Sequence, residues 1–202
     1  MALVPVRGRV YGVALNFKAA LAALGDAVHR DPYKKPPQAP ILYMKPANTW
    51  IPAGAPIPCP TGVPRLRMGG TLGVVIGHGY AIVNDVSVPH TSYFRPAIRE
   101  QCRDGFCSIG PFMDHATLTN PDDAVICIFI NDELRAVNST ANLVRPFARL
   151  IGDVSDFMTL RDGDVLLVGE PDNAPLAGVG DRVRVEIDGL GALENPIEAE
   201  AS

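Results

Sequence analysis

The sequence has few basic residues and no basic run. Lysine and arginine total 18 against 22 aspartate and glutamate residues, which gives a formal net charge of −4. Nucleic-acid surfaces need clustered cations to neutralise phosphates, so this composition argues against a nucleic-acid partner. No apolar stretch is long enough to span a bilayer, and the first ten residues lack the apolar segment of a secretory signal peptide. We therefore expect a cytoplasmic protein without a membrane partner.

Cysteine and histidine are also scarce, at four residues each. The cysteines form no Cys-x-x-Cys pair and the histidines have no metal-ligand spacing, which argues against a structural zinc site. Reduced, unpaired thiols are the expectation for a cytosolic chain. The Gly-x-Ser-x-Gly elbow of α/β-hydrolases and the phosphate-binding Walker loop do not occur either.

Apolar residues, glycine and proline are abundant. The chain has 202 residues, of which 47% are hydrophobic, with 19 glycines and 19 prolines. This length and composition fit one domain covering residues 1–202. Glycine and proline divide the chain into short apolar runs, so strands outnumber helices. The pattern favours a mainly β, mixed or antiparallel sheet over a doubly wound fold.

The individual elements follow from the apolar periodicity. Helices are predicted at 17–30 and 147–158, where apolar residues recur every three or four positions. Asn131-Asp132 is predicted to be a hairpin turn. Strands are predicted at 10–15, 41–46, 71–76, 80–83 and 125–130, and within 161–171 and 181–196.

A polar pair, Asn84-Asp85, directly follows one of these apolar runs, in "GYAIVNDVS". Three interpretations of Asp85 are open at this point. Its carboxylate is a metal ligand, an acid–base group, or a turn or cap residue that accepts hydrogen bonds from nearby backbone N–H groups.

Ordered motifs over nearly the whole chain resemble the fumarylacetoacetate hydrolase family: "GVALNF", "MKPANTW", "GTLGVVIG", "GYAIVNDVS", "GDVLLVGEP" and "GVGDRVRVEIDGLGALENP". Three further motifs, "DPYKKPP", "SYFRPAI" and "CRDGFC", are similar to the N-terminal half of the bifunctional isomerase/decarboxylases of 4-hydroxyphenylacetate (homoprotocatechuate) degradation. The resemblance implies an α+β, mainly β fold. Its mixed sheet rolls into a partly barrel-like core with a few peripheral helices.

The resemblance also implies a divalent metal, Mg²⁺ or Mn²⁺. In this family the ion chelates a 2-oxo or enol carboxylate substrate and stabilises enolate charge. Active members carry Glu-x-Glu before "VVIG", and those positions are Gly69 and Thr71 in this chain. Asp85 matches the retained aspartate ligand. One carboxylate cannot hold such an ion tightly, so Asp85 is interpreted as a remnant ligand whose main role is a turn or cap. Tight metal binding by this chain is not expected.

Three other family positions are replaced. Ala20 stands at the usual catalytic histidine, Gln101 at a lysine and Glu170 at a threonine. Lys45 and Arg103 are retained from the narrower pattern, as is Asp104. Lys45 and Arg103 are candidate substrate-binding residues or buried ion-pair members. Asp104 and Glu170 are candidate proton carriers, with exposed turn or ion-pair roles as the alternatives.

These observations lead to one functional hypothesis. The chain resembles the first subunit of an isomerase/decarboxylase acting on dicarboxylate or tricarboxylate substrates, paired with a sister subunit that keeps the metal ligands. A homodimer or a heteromer is expected over a monomer. Two alternatives stay open: a non-catalytic partner subunit, and a metal-independent isomerase.

Overall fold

The computed structural model describes residues 5–90 and 95–200. The described chain is mostly β-structure. Its strands, in chain order, are β1 (Val10–Ala14), β2 (Ile41–Lys45), β3 (Trp50–Pro52), β4 (Ile57–Cys59), β5 (Leu66–Val75), β6 (Gly79–Ser87), β7 (Cys107–Ile109), β8 (Met113–Asp114), β9 (Val125–Ile130), β10 (Glu133–Ser139), β11 (Val165–Leu167), β12 (Leu176–Ala177), β13 (Arg182–Ile187) and β14 (Gly191–Ala199).

The helices are short and lie between the strands. The α-helices within the described residues are α1 (Lys18–Ala22), α2 (Ile98–Gln101) and α3 (Phe147–Ser155). Single turns of 3₁₀-helix occur at Gly25–His29, Ala47–Thr49, His115–Thr117, Pro121–Asp123 and Thr140–Asn142. No helix in 5–90 or 95–200 is long and apolar enough to cross a lipid bilayer.

Two mixed sheets form the scaffold. The larger runs in the order β2-β1-β11-β5-β6-β7-β3, with β12 added to β5 and β8 to β6. The smaller runs β10-β9-β13-β14-β4. The β1–β11, β3–β7 and β4–β14 pairs are parallel, and the other pairs are antiparallel. The predicted fold class is thereby confirmed.

The two sheets pack face to face. Leu72 and Met68 of β5 lie in buried clusters with Ile126 and Ile128 of β9. Gly70 permits this close approach, because a Cβ there would lie 2.9 Å from side-chain atoms of Ile128 in the facing sheet. The bare backbone at residue 70 therefore sets the spacing of the sheets at their centre.

The long β5–β6 hairpin is the element that positions the candidate site. Its register places Gly69 opposite Asp85 and Thr71 opposite Val83. β6 continues through Asn84 and Asp85 to Ser87, whereas the sequence predicts its end at residue 83. Asp85 is accommodated inside the sheet because its partners are also buried there, whereas the buried Asn84 Oδ1 has no hydrogen-bond partner among the described residues.

The other elements match the predictions with one notable difference. The 125–130 strand and the Asn131-Asp132 turn are confirmed, and both turn residues have positive φ angles of 53° and 65°. The predicted 17–30 helix is broken into α1 and a 3₁₀ turn because Gly25 adopts a φ of +49°. All four cysteines are free, as predicted.

Candidate active site

A small internal cavity brings together three of the positions at which the sequence is expected to depart from the family pattern. Ala20, Gln101 and Glu170 line it, along with Tyr43. Its volume of about 10 Å³ leaves room for roughly one water molecule. Positions distant in the chain therefore meet at one point, as the residues of a single site must.

Asp85 lies at the centre of this region, within β6, and its side chain is only 4% exposed. Lys45 Nζ lies 2.5 Å from Oδ1, and the Tyr43 hydroxyl donates a short hydrogen bond to Oδ2. Both carboxylate oxygens thus have strong donors. The interpretation of Asp85 as a turn or cap residue is wrong: the carboxylate belongs to a buried ion pair in mid-strand.

Lys45 has no exposed side-chain surface. Besides Asp85, its ammonium group donates to the carbonyl oxygens of Val86, Gln101 and Phe106, at 2.8, 2.9 and 3.0 Å. A buried charge is tolerated only when it is paired and hydrogen-bonded in this way. The sequence leaves Lys45 as either a substrate-binding residue or a buried ion-pair member, and in the structure it is a buried ion-pair member. Its ammonium ties β2 to β6 and to the segment around α2.

Glu170 follows β11 and reaches the same region from the opposite side. Its Oε2 lies 3.3 Å from Arg67 Nε, and the two side chains are 16% and 19% exposed. Arg67 Nη2 also donates to the carbonyl oxygens of Pro171 and Asp172, at 2.7 and 3.3 Å. The guanidinium therefore fixes both the carboxylate and the loop that carries it.

Gly69 lies directly beside Glu170, and Thr71 contacts the residue before it. A Cβ on Gly69 would overlap Oε2 of Glu170 and would lie 2.5 Å from the carbonyl oxygen of Asp85. The fully buried Thr71 hydroxyl donates to the Gly169 carbonyl at 2.5 Å. The Glu170 carboxylate thus fills the space that a side chain at residue 69 would need.

Burial changes the acidity of this cluster. It raises the pKa of Glu170 to about 7, with Arg67 opposing the change and Asp85 reinforcing it. Burial, followed by the charge of Asp85, also raises the pKa of Tyr43 well above its ordinary value. Near neutral pH, Glu170 therefore exists in both protonation states while Tyr43 keeps its proton.

These residues do not fit a divalent metal. Mg²⁺ and Mn²⁺ need several free oxygen ligands, but residues 69 and 71 supply no carboxylate and both Asp85 oxygens are engaged. Over 5–90 and 95–200, no group of three or more His, Cys, Asp or Glu side chains is arranged to hold an ion. Two cations, Lys45 and Arg67, instead balance the carboxylates of Asp85 and Glu170.

Arg103 and Asp104 lie elsewhere. Asp104 is exposed, accepts a hydrogen bond from Asn48 Nδ2 at 2.7 Å, and lines a separate surface pocket with Glu198. Arg103 donates from Nε to the Arg99 carbonyl at 3.1 Å. Neither lines the cavity beside Glu170. Their candidate roles stay predictions, and the two residues do not belong to the group of side chains around Asp85 and Glu170.

Sequence reasoning missed Tyr43 and Arg67. Tyr43 and Lys45 stand two apart on β2, and Arg67 and Gly69 stand two apart on β5, so each pair shares a face of its strand. Gly12, opposite Tyr43 in the register, makes room for the phenol ring, since a Cβ there would overlap it. The spacing of two residues from Lys45 and from Gly69 could have identified Tyr43 and Arg67 as neighbours of the site.

A larger pocket of about 350 Å³ adjoins the small cavity. Ala14, Tyr43 and Gln101 line both. Its remaining walls come from β2 and from the segment around α2. This volume suits a small organic ligand, and it lies directly beside the charged cluster.

Known proteins resemble this chain in sequence over most of its length. The family described as "Fumarylacetoacetate (FAA) hydrolase C-terminal" matches residues 9–78 and 78–198. The "4-hydroxyphenylacetate degradation bifunctional isomerase/decarboxylase" of Escherichia coli is 39% identical over 95% of this chain and 47% of its own length. The protein of the same name from Salmonella dublin is also 39% identical, over 96% and 48%. The chain thus spans about half the length of these curated relatives.

Solved structures show the same fold. The fumarylpyruvate hydrolase of Pseudomonas aeruginosa, in complex with Mn²⁺ and pyruvate, superposes with a TM-score of 0.82 at 25% identity, covering 98% of this chain and 91% of that one. The 5-carboxymethyl-2-hydroxymuconate delta-isomerase of Mycobacterium smegmatis gives 0.80 at 27% identity, covering 98% and 79%.

Proposed function

From the premise that the chain belongs to the fumarylacetoacetate hydrolase family, we propose that it is a subunit of the isomerase/decarboxylase of 4-hydroxyphenylacetate catabolism. The substrates of that system are 5-carboxymethyl-2-hydroxymuconate, which is isomerised, and 5-oxopent-3-ene-1,2,5-tricarboxylate, which is decarboxylated. The identity of 39% over about half of the Escherichia coli relative supports this assignment. The cytoplasm is the proposed location, in keeping with four free thiols.

We also propose that the metal site of this subunit is degenerate. One observation carries it: Asp85 is held by Lys45 and Tyr43, and no carboxylate stands at residues 69 and 71. When bound in a relative, the metal supplies Lewis-acid stabilisation of an enolate. The decarboxylation that depends on this stabilisation belongs to a sister subunit with intact ligands, with which this chain forms a heteromer.

The isomerisation is a second candidate activity for this chain by itself. Moving a double bond requires only that one proton leaves the conjugated system and another is added elsewhere on it. A carboxylate with a pKa near 7 can accept and return that proton at neutral pH, and Glu170 has this acidity beside the larger pocket. Asp104 is the other candidate proton carrier, although it is exposed and distant from this cavity.

Ultraviolet absorbance of the conjugated substrates tests the assignment. The chain is assayed alone, with EDTA, and with a sister chain of the same family that keeps the metal ligands. Decarboxylation that appears only with the sister chain supports the subunit assignment, and metal-stimulated decarboxylation by this chain alone refutes it. EDTA-resistant isomerisation by this chain favours the metal-independent isomerase, whereas no turnover by the chain alone leaves the non-catalytic partner.

A further inference from the structure

The larger pocket has an apolar wall and a partly open mouth. Ile41, Leu42 and Met44 of β2 form one side, with Pro96 and Ile98 opposite. Met44 and Ile98 are 50% and 61% exposed, so two large apolar side chains face solvent at one pocket. Covering them with the carbon skeleton of a ligand would be favourable.

The charge of the pocket has one sign. Among the described residues that line it, Arg95 is the only arginine or lysine, none is an aspartate or glutamate, and His90 also lines it. The described residues give Arg95 no ion pair, whereas Lys45 and Arg67 are both neutralised by carboxylates. A guanidinium with free donors beside apolar walls is suited to a carboxylate on an apolar chain, because it can bind both carboxylate oxygens at once.

The position of the pocket relates this charge to the buried cluster. Tyr43 and Gln101 line both the pocket and the small cavity that Glu170 also lines. An acyclic ligand with one end at Arg95 therefore extends along β2 toward Tyr43. Its other end then lies at Tyr43 and Gln101, which also line the small cavity beside Glu170.

We propose that Arg95 is the specificity-determining residue of this pocket and that it binds the terminal carboxylate of an acyclic, unsaturated dicarboxylate. The choice of ligand class rests on the proposed function; the site itself rests on the pocket, its single charge and its apolar walls. Arg95 then orients the ligand so that its conjugated carbons lie along β2 and its other end reaches Tyr43 and Gln101.

The test uses trans,trans-muconate, a six-carbon unsaturated dicarboxylate, as the probe, with its dimethyl ester as the uncharged comparison. Binding is measured by isothermal titration to the full chain and to three variants, Arg95→Met, Arg95→Lys and Arg99→Met. Arg99 is an exposed arginine of α2 that does not line the pocket, so its variant is the matched control. Circular dichroism verifies that each variant is folded.

Loss of a charge-assisted interaction predicts that Arg95→Met binds muconate at least about tenfold more weakly. Arg95→Lys keeps part of the affinity, Arg99→Met is unchanged, and the dimethyl ester binds all four proteins equally weakly. Equal weakening in Arg95→Met and Arg99→Met, or no muconate binding to the unaltered chain, would overturn the assignment. If muconate binds as expected but no isomerase or decarboxylase turnover appears with the sister chain, the proposed function fails while Arg95 remains the anion site.

Discussion

The ammonium nitrogen of Lys45 lies 2.5 Å from Oδ1 of Asp85, and neither side chain is more than 4% exposed. This pair stands where relatives of the family are implied to keep a metal ligand. A buried ion pair is stable only while both partners remain, because either charge alone is poorly solvated. The pair therefore makes Asp85 a structural residue of this chain.

Removing one partner of this pair should be costly. Lys45→Met leaves the Asp85 carboxylate buried without a cation, so we expect the free energy of unfolding to fall by about 3–5 kcal/mol. Urea titration followed by circular dichroism measures it, with the exposed Lys18→Met as the control. The double variant Lys45→Met/Asp85→Asn should lose less than the sum of the two single variants. Additive losses would contradict the coupling.

Metal binding by the chain alone should be weak. Residues 69 and 71 supply no carboxylate, and both Asp85 oxygens have donors. Isothermal titration with Mn²⁺ and with Mg²⁺ should show no tight binding. Micromolar binding that Asp85→Ala abolishes would reinstate Asp85 as a ligand, and would remove the main support for the degenerate site.

The Glu170 carboxyl should make stability depend on pH. Its pKa in the folded chain is about 7, against an ordinary value of 4.5. The folded state therefore binds more protons than the unfolded state between these values. This contribution to stability is fully present below about pH 4.5 and is lost as the pH rises through about 7.

Unfolding of the unaltered chain and of Glu170→Gln at several pH values between 4.5 and 8 measures this effect. The stability of the unaltered chain relative to Glu170→Gln should fall across the interval, because glutamine does not titrate. Glu194→Gln, at a more exposed carboxyl, serves as the control and should not reproduce the trend. If the free energy of unfolding changed with pH in parallel for the unaltered chain and Glu170→Gln, the pKa of Glu170 would not be raised.

Catalysis by the chain alone should be limited to isomerisation at most. Losing even one preorganised electrostatic group typically costs on the order of a hundredfold in rate, so decarboxylation without the sister chain should be undetectable. If the chain isomerises its substrate in EDTA, the rate should rise with pH as Glu170 loses its proton near pH 7. Glu170→Gln should abolish that activity and Asp104→Asn should not. The reverse result would move the chemistry to Asp104.

Assembly is open to direct measurement. The proposed subunit role requires self-association or association with the sister chain. Light scattering at micromolar concentration should give a mass above that of the 21.6 kDa chain. A monomer whose mass is unchanged by adding the sister chain would count against the subunit assignment.

Much of the fold followed from local patterns. The strand at 125–130 is predicted to the residue, because a continuous apolar run ends at a turn whose residues accept positive φ. The break in the 17–30 helix is not predicted from the sequence, because it depends on the positive φ angle of Gly25. The end of β6 was also misjudged. Asp85 looks like a loop residue until Lys45, a residue distant in the chain, is known to be its ion-pair partner.

The site was predictable only in part. Motif order identified Ala20, Gln101 and Glu170 as related positions, and they do line one cavity. It said nothing of Tyr43 and Arg67, whose roles depend on partners across strand pairings. It also grouped Arg103 and Asp104 with the site because both are retained from the narrower motif pattern, although their side chains contact other neighbours.

The overlap between Glu170 and a side chain at residue 69 constrains the order in which substitutions can accumulate. A glutamate introduced at residue 69 first meets an occupied space and a close backbone carbonyl, so it is harmful before it can be useful. Shortening Glu170 first removes only the side-chain overlap: the Asp85 carbonyl oxygen would still lie 2.5 Å from a Cβ at residue 69, and Arg67 would lose its carboxylate. Under the proposed degenerate site, each single substitution toward a metal-binding pair therefore passes through a less stable protein. Such epistasis would make a loss of the metal site hard to reverse.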